Sequence, residues 1–263
     1  MRKSANDGPV VLVTGGASGI GRAIAARFAS ESWRVHVCDA DAEAVRRFQA
    51  EMASCTANVA DVSRVSDVEA TFDAVGSRHG RLDLLVNNAG ISGPTAPVEH
   101  IVPADWDRTV AVDINGQFYC ARLAVPMLKA AGGGSIILIS SSAAFFGYPL
   151  RTPYTACKWA LIGFMKTLAM ELGPHRIRVN AICPGSVRGP RIDGVIERDA
   201  AKRGRTAAEI RRLYERQTSL RAFVAAEDVA NTAFFLASEQ GAMISGQALG
   251  VDGHTESLSN WLD

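Results

Sequence analysis

Seven short apolar runs, alternating with longer stretches of helical character, constrain this chain more than any other feature. The runs are Val10–Thr14, Arg34–Asp39, Cys55–Asn58, Leu82–Asn87, Ser135–Ser140, Arg178–Cys183 and Ala248–Val251. Between them fall Arg22–Ser30, Ala42–Met52, Val65–Arg78, Asp105–Ala131, Tyr154–Leu172 and Ala226–Ala237, which read as helices. Strands that are apolar throughout, each followed by a helix, indicate a mostly parallel sheet with helices on both faces. No linker, repeat or low-complexity segment divides the chain, so one α/β domain over 1–263 is expected. In such sheets ligands sit beyond the carboxyl ends of the strands.

The stretch Thr14 to Gly21, TGGASGIG, occupies one of those ends, between the first strand and the first helix. Unpaired N–H groups at a helix start attract a phosphate, and glycines let it come close. The spacing Gly15-x-x-x-Gly19-x-Gly21 is not G-x-G-x-x-G, yet its context is that of a dinucleotide site. Asp39 ends the second strand, eighteen residues past Gly21. A carboxylate there accepts the hydroxyls of an adenosine ribose and repels a 2′-phosphate. Position 18, inside the turn, is a serine rather than a basic residue. Both features favour NAD over NADP.

The totals exclude other classes. A net charge of +1 gives no global reason for a nucleic acid or an anionic membrane as partner. Five cysteines, odd in number and scattered through apolar runs, read as buried free thiols in a reducing compartment. The polar start MRKSANDGP does not resemble a signal peptide, and no run approaches a membrane span. A cytoplasmic location is expected. With no HExxH and no Cys/His cluster, no metal is expected.

Several motifs together resemble the short-chain dehydrogenase/reductase family. TGGASGIG is similar to its TGxxxGxG signature, and Asn87-Asn88-Ala89-Gly90 to its NNAG. Tyr154-Thr-Ala-Cys-Lys158 matches YxxxK, with Ser141 thirteen residues before the tyrosine. Arg178-Val-Asn-Ala-Ile-Cys-Pro184-Gly185 is similar to RVNxxxPG. The likeness runs from Val10 to about Gly253. It implies a Rossmann-type doubly wound sheet of seven strands and an oxidoreductase acting on CH–OH groups. Along the cofactor it implies Gly15, Ser18, Gly19, Ile20 and Gly21 at the pyrophosphate, and Asp39 at the ribose. It implies Asn58 and Val59 at the adenine, then Asn87, Ala89 and Gly90. Lys158 would hold the nicotinamide ribose, and Pro184, Gly185 and Val187 the nicotinamide end. The resemblance also implies that the two longest helices pair subunits, so a homotetramer is expected.

The chemistry can be weighed from the residues. Tyr154 and Lys158, four apart on a helix, share one face. Moving a free tyrosine from a pKa near 10 to about 7 requires roughly 4 kcal/mol. An ammonium at 4 Å supplies about 1 kcal/mol in bulk water and about 4 at an effective dielectric near 20. The pair is therefore expected in a partly closed cleft, with Ser141 polarising the substrate oxygen.

Two positions depart from the family pattern. Where it places an asparagine for proton relay, this chain has Asp113; Asn115 lies about 160° further round an α-helix. Asp113 is assigned to the relay position, against the alternative of a solvated helix aspartate. Gly189 stands where the family often has a threonine for the carboxamide. Substrate choice is expected to lie in a lid at about 188–225, which carries ten basic and five acidic residues. Arg188 or Arg191 is the candidate for meeting an anionic group. Ala143, Phe145, Phe146, Tyr148 and Leu150 are expected opposite. The expected activity is NAD-dependent interconversion of a secondary alcohol and a ketone on a small polar substrate. The alternatives are a 3-oxoacyl-carrier-protein reductase and a non-catalytic NAD-binding regulator.

Overall fold

The computed structural model describes residues 8–255. Its strands are β1 (Val10–Thr14), β2 (Arg34–Asp39), β3 (Thr56–Val59), β4 (Leu84–Asn87), β5 (Gly134–Ile139), β6 (Ile177–Pro184) and β7 (Ala248–Val251). They form one sheet in the order β3-β2-β1-β4-β5-β6-β7. Every adjacent pair is parallel. The winding reverses between β1 and β4, so the crevice of a doubly wound sheet opens at their carboxyl ends.

Alternate residues of each strand feed two separate cores. Val11 and Val13 join Ile24, Phe28, Phe48 and Leu236 on the side of α1 (Gly19–Ser30), α2 (Ala42–Glu51) and α9 (Ala226–Ala237). Val10 and Leu12 join Phe72, Leu128 and Met165 on the other. That side is covered by α3 (Val65–His79), α5 (Gly116–Ala130) and α6 (Thr152–Leu172). Phe28 is fully buried and meets Trp33 and Phe234 edge-on, at 4.9 and 5.4 Å. Such pairs contribute about 1 kcal/mol beyond area burial.

The expected single helix over Asp105–Ala131 is instead three pieces. α4 (Pro103–Val110) leads into a five-residue π segment, Ala111–Asn115, and then into α5. A π turn carries an extra residue and resets which side chains face inward. Beyond β6, α7 (Pro190–Arg203) and α8 (Ala207–Arg216) form the lid, with a small core of Ile196, Ala200, Ile210 and Phe223. Its neck is a parallel bridge between Val187 and Val224. Two ion pairs lie within it, Arg203 with Asp199 and Arg211 with Asp193. All five cysteines are buried and free. Among the described residues no helix is long and apolar enough to cross a membrane.

β2 and β3 are also joined by polar side chains. The fully buried His36 ring meets Thr56 Oγ1 at 2.7 Å through Nδ1 and Asn58 Oδ1 at 2.8 Å through Nε2. A neutral ring satisfies both, donating from Nε2 and accepting at Nδ1. Burial lowers the His36 pKa to about 4, and the neighbouring His79 and Arg78 charges add to this. The unfolded chain thus binds the proton first, and stability falls as pH drops from about 6.5 to about 4. The loss over that window is expected to be about 3 kcal/mol. Urea unfolding between pH 4 and 7 should show a shallower acid loss for His36→Gln. An identical pH slope in both proteins would exclude the ring as its source.

Candidate active site

The glycine stretch turns sharply from β1 into α1. Gly15 and Gly19 have positive φ, +58° and +51°, and a Cβ at Gly19 would face open space. Gly21 lies inside the first turn of α1, where a Cβ would collide with the Gly15 carbonyl oxygen. Ser18 caps α1 without a side-chain hydrogen bond, which leaves the first-turn N–H groups to an incoming acceptor. This cradle fits a pyrophosphate. The turn is fastened to the end of β4: Thr14 Oγ1 accepts the N–H groups of Asn88 and Ala89, each at 3.0 Å. Asn88 Nδ2 in return donates to the carbonyls of Thr14 and Gly15, each at 2.9 Å.

Gly15, Ser18, Gly19, Ile20 and Asp39 line one side of a cleft of about 720 Å³. Asp39 accepts the N–H of Ala17 at 3.1 Å on Oδ2 and that of Asp41 at 3.1 Å on Oδ1. A carboxylate offers about four acceptor sites, so each oxygen keeps room for a hydroxyl.

Several residues expected along this cleft do not line it. Asn58 and Val59 do not line it; Ala60, Asp61 and Val62 do. Asn58 is committed to His36 and, through Nδ2, to Thr71 Oγ1 at 2.9 Å, while Val59 is exposed. Asp61 accepts from Arg108, and the Ser63 N–H and hydroxyl with Arg108 hold its carboxyl below the usual range against the opposing effect of burial. The Asp-Val pair the family pattern calls for is thus Asp61-Val62, three residues further on. Asn87 is also absent from the lining. It is fully buried and donates to the Gln117 carbonyl at 3.0 Å, while its neighbour Asn88 faces the cleft with Ala89 and Gly90.

Further along the same cleft, Ser141, Tyr154 and Lys158 come together. Ser141 lies two residues beyond β5, and its Oγ accepts the Ala143 N–H at 3.1 Å, which leaves the hydroxyl proton to donate. Tyr154 and Lys158 sit one turn apart on α6, with the Lys158 Nζ 5.4 Å from the Tyr154 ring centroid. Ser140 Oγ donates to the Lys158 carbonyl at 2.9 Å and fixes α6 to the strand end. Lys158 is buried, and its Nζ lies 3.2 Å from Asp113 Oδ2 and 3.4 Å from the Ile139 carbonyl.

Asp113 is therefore not a solvated helix aspartate. The π segment carries it fully buried into the site, where Oδ1 accepts the Ile91 N–H at 2.7 Å. Gly90 packs against this pair: a Cβ there would lie 3.2 Å from Lys158 Nζ and 3.4 Å from either Asp113 oxygen. Burial, reinforced by the Asp113 charge, pushes the adjacent Cys157 thiol up to about 11, so it stays protonated.

At the far end the cleft is lined by Pro184, Gly185, Val187, Gly189, Arg188 and Arg191. Ala143 is buried and does not line it, and neither do Phe145, Phe146 and Leu150. Ser142, Tyr148 and Arg151 line it as well. Arg151 was missed in the sequence. The available signal was a cation directly before the YxxxK helix, and its Cζ stands 4.9 Å from the Tyr154 ring centroid.

A glycine-cradled dinucleotide cleft that also holds a serine, a tyrosine and a lysine defines an oxidoreductase of the nicotinamide type. The comparisons agree. A family model described as enoyl-(acyl carrier protein) reductase matches residues 15–254. D-Threitol dehydrogenase of Mycolicibacterium smegmatis is 34% identical over 94% of this chain and 92% of its own. The NADPH complex of an actinorhodin polyketide ketoreductase variant matches with TM-score 0.90 and 31% identity, over 94% of this chain and 97% of that one. An NAD+-bound xylitol dehydrogenase matches with TM-score 0.89 and 28% identity, over 96% and 100%. The chain belongs to the short-chain dehydrogenase/reductase family. It is an NAD(P)-dependent oxidoreductase acting on CH–OH groups.

Removing Asp113 leaves a buried ammonium without its counter-charge. Asp113→Ala is expected to lower unfolding stability by about 3 kcal/mol, the low end for a broken buried pair because the cleft hydrates one side. Asp113→Asn should lose less, since its amide oxygen can still accept the Ile91 N–H. Urea midpoints measure both. Equal stability of Asp113→Ala and the unmodified protein would mean that the pair contributes nothing to the fold.

Proposed function

We propose that this chain is an NAD-preferring dehydrogenase that interconverts a secondary alcohol and a ketone on a small polar substrate. The observation that carries the reading is the meeting of Ser141, Tyr154 and Lys158 with the glycine cradle in one cleft. When bound, the nicotinamide dinucleotide supplies a two-electron hydride carrier. Gly15, Ser18, Gly19 and Ile20 hold its pyrophosphate, with Gly21 shaping the turn behind them. Asp39 takes the adenosine ribose, with Asp61 and Val62 beside the adenine. Asn88, Ala89 and Gly90 run along it, and Pro184, Gly185 and Val187 hold the nicotinamide end. Gly189, which has no side chain for the carboxamide, leaves that contact to backbone groups.

Tyr154 passes the proton at the substrate oxygen and is the general acid in reduction and the general base in oxidation. Ser141, its Oγ lone pair engaged by Ala143, donates its hydroxyl proton to the same oxygen and polarises the carbonyl. Lys158 places a cation beneath the phenol and reaches the nicotinamide ribose. Asp113 holds Lys158 in position, and the Ile91 N–H orients Asp113 in turn.

The preference for NAD rests on the Asp39 carboxylate, which meets ribose hydroxyls well and a 2′-phosphate badly. The second proposal under this reading is a homotetramer. Trp159 and Phe118, on α6 and α5, are 49% and 48% exposed, and Met170 is 83% exposed. Large apolar side chains left open on two helices suit a symmetric subunit interface.

One spectrophotometric assay tests the chemistry and the cofactor. Tyr154→Phe should lose about 10²–10⁴-fold in turnover while still binding NADH. Retained turnover would refute the assigned acid/base. Asp39→Asn should narrow the NAD-to-NADP ratio of kcat/KM by at least about fivefold, as expected for removing one like charge. An unchanged ratio would move the discriminating contact elsewhere. Sedimentation velocity tests the assembly: the unmodified chain should run as a tetramer and Trp159→Arg as a smaller species. A monomer at micromolar concentration would end that proposal.

A further inference from the structure

We infer that Arg151 and Arg191 form a carboxylate clamp at the substrate end of the cleft, so that the substrate is a short hydroxy acid or its keto form. The inference rests on the dehydrogenase reading above and adds to it the chemical class of the substrate. The two arginines come from different elements, Arg151 from the start of α6 and Arg191 from the first turn of α7 in the lid. They converge on one residue, Ser92. Arg151 Nη2 donates to the Ser92 carbonyl at 2.9 Å. Arg191 donates to the Ser92 hydroxyl oxygen from Nε at 2.9 Å and from Nη2 at 2.6 Å. All three residues line the cleft with Ser141 and Tyr154.

Two like charges fastened to one neutral residue call for an anion between them. The acids of this end are engaged elsewhere: Asp113 with Lys158, Asp193 with Arg211 and Asp199 with Arg203. Among the described residues, neither Arg151 nor Arg191 makes a salt bridge. A carboxylate is the group whose two oxygens match a guanidinium fork.

Reach limits the length of the substrate. Arg151 Cζ lies 4.9 Å from the ring of Tyr154, the residue that handles the carbinol oxygen. The carboxylate and the carbinol therefore stand only a few bonds apart, as in a 2- or 3-hydroxy acid. Tyr148 completes the wall, its ring 5.9 Å from Arg151 Cζ. Burial pushes its phenol up, so it stays neutral and adds no repelling charge.

The probes are acetoacetate and 2-oxobutanoate, each set against its neutral methyl ester, with NADH as reductant. The unmodified enzyme should favour each acid over its ester in kcat/KM by about tenfold or more, the worth of a charge-assisted hydrogen bond. Arg151→Gln and Arg191→Gln should each reduce that acid-to-ester ratio by about tenfold, and Arg151→Lys should recover part of it. Calorimetric titration of the acids into the enzyme–NADH complex gives a second readout, with binding expected for the unmodified enzyme and lost in Arg151→Gln. Turnover of esters or neutral ketones with no preference for acids overturns the clamp and leaves the dehydrogenase reading intact. Binding of the acids that depends on Arg151, with no carbonyl compound reduced, sinks the dehydrogenase reading instead. Failure of the unmodified NADH complex to bind either acid overturns the clamp whatever else the enzyme reduces.

Discussion

An all-parallel sheet allows no hairpins, and that constraint organises everything else in this molecule. Each connection must cross a face of the sheet, so helices cover both sides and every strand delivers its chain to the same edge. The reversal of winding between β1 and β4 leaves that edge uncovered at one place. The glycine turn, Asp39, the Asn88 segment, Ser141 and Pro184 are all loop or strand-end residues collected there by topology. The mutual bonds of Thr14 and Asn88 then set the spacing of the two strand ends on which the crevice depends.

Within the crevice the electrostatics differ from what a tyrosine–lysine pair alone would supply. Lys158 faces a buried carboxylate, and Tyr154 has a second cation, Arg151, over its ring. The phenol therefore sits among two cations and one anion, and the two cations have different tasks. Lys158 is held from below by Asp113 and by the Ile139 carbonyl, inside the protein. Arg151 is held by a loop carbonyl, that of Ser92.

The fold was legible because apolar runs and helical stretches alternate, and that pattern depends on burial alone. All seven strands lie where the runs placed them, to within two residues at the ends. Gly15, Gly19 and Pro184, whose place depends on the backbone, line the cleft where the motifs put them. Side-chain direction was not. Asn87 and Asn88 are adjacent and identical in type, yet the pleat sends one into the sheet and the other toward the cleft. The residues that line the cleft beyond β3 lie three positions past the pair expected there, because Asn58-Val59 ends the strand itself and Asp61-Val62 follows it. The inward turn of Asp113 required a π segment, whose hydrogen-bond register leaves no mark in composition. Arg151 was hidden because its meaning comes from Ser92, fifty-nine positions away.

The lid has a miniature core of its own and joins the body at the Val187–Val224 neck. Its small core is separate from the two cores of the sheet, while Val224 packs into the body and Arg191 fastens the lid to Ser92. Residues of that small core can be exchanged without touching the β1–β4 crevice. A chain built this way keeps its redox machinery fixed while its taste for substrates drifts, which is how one scaffold can come to serve many metabolites.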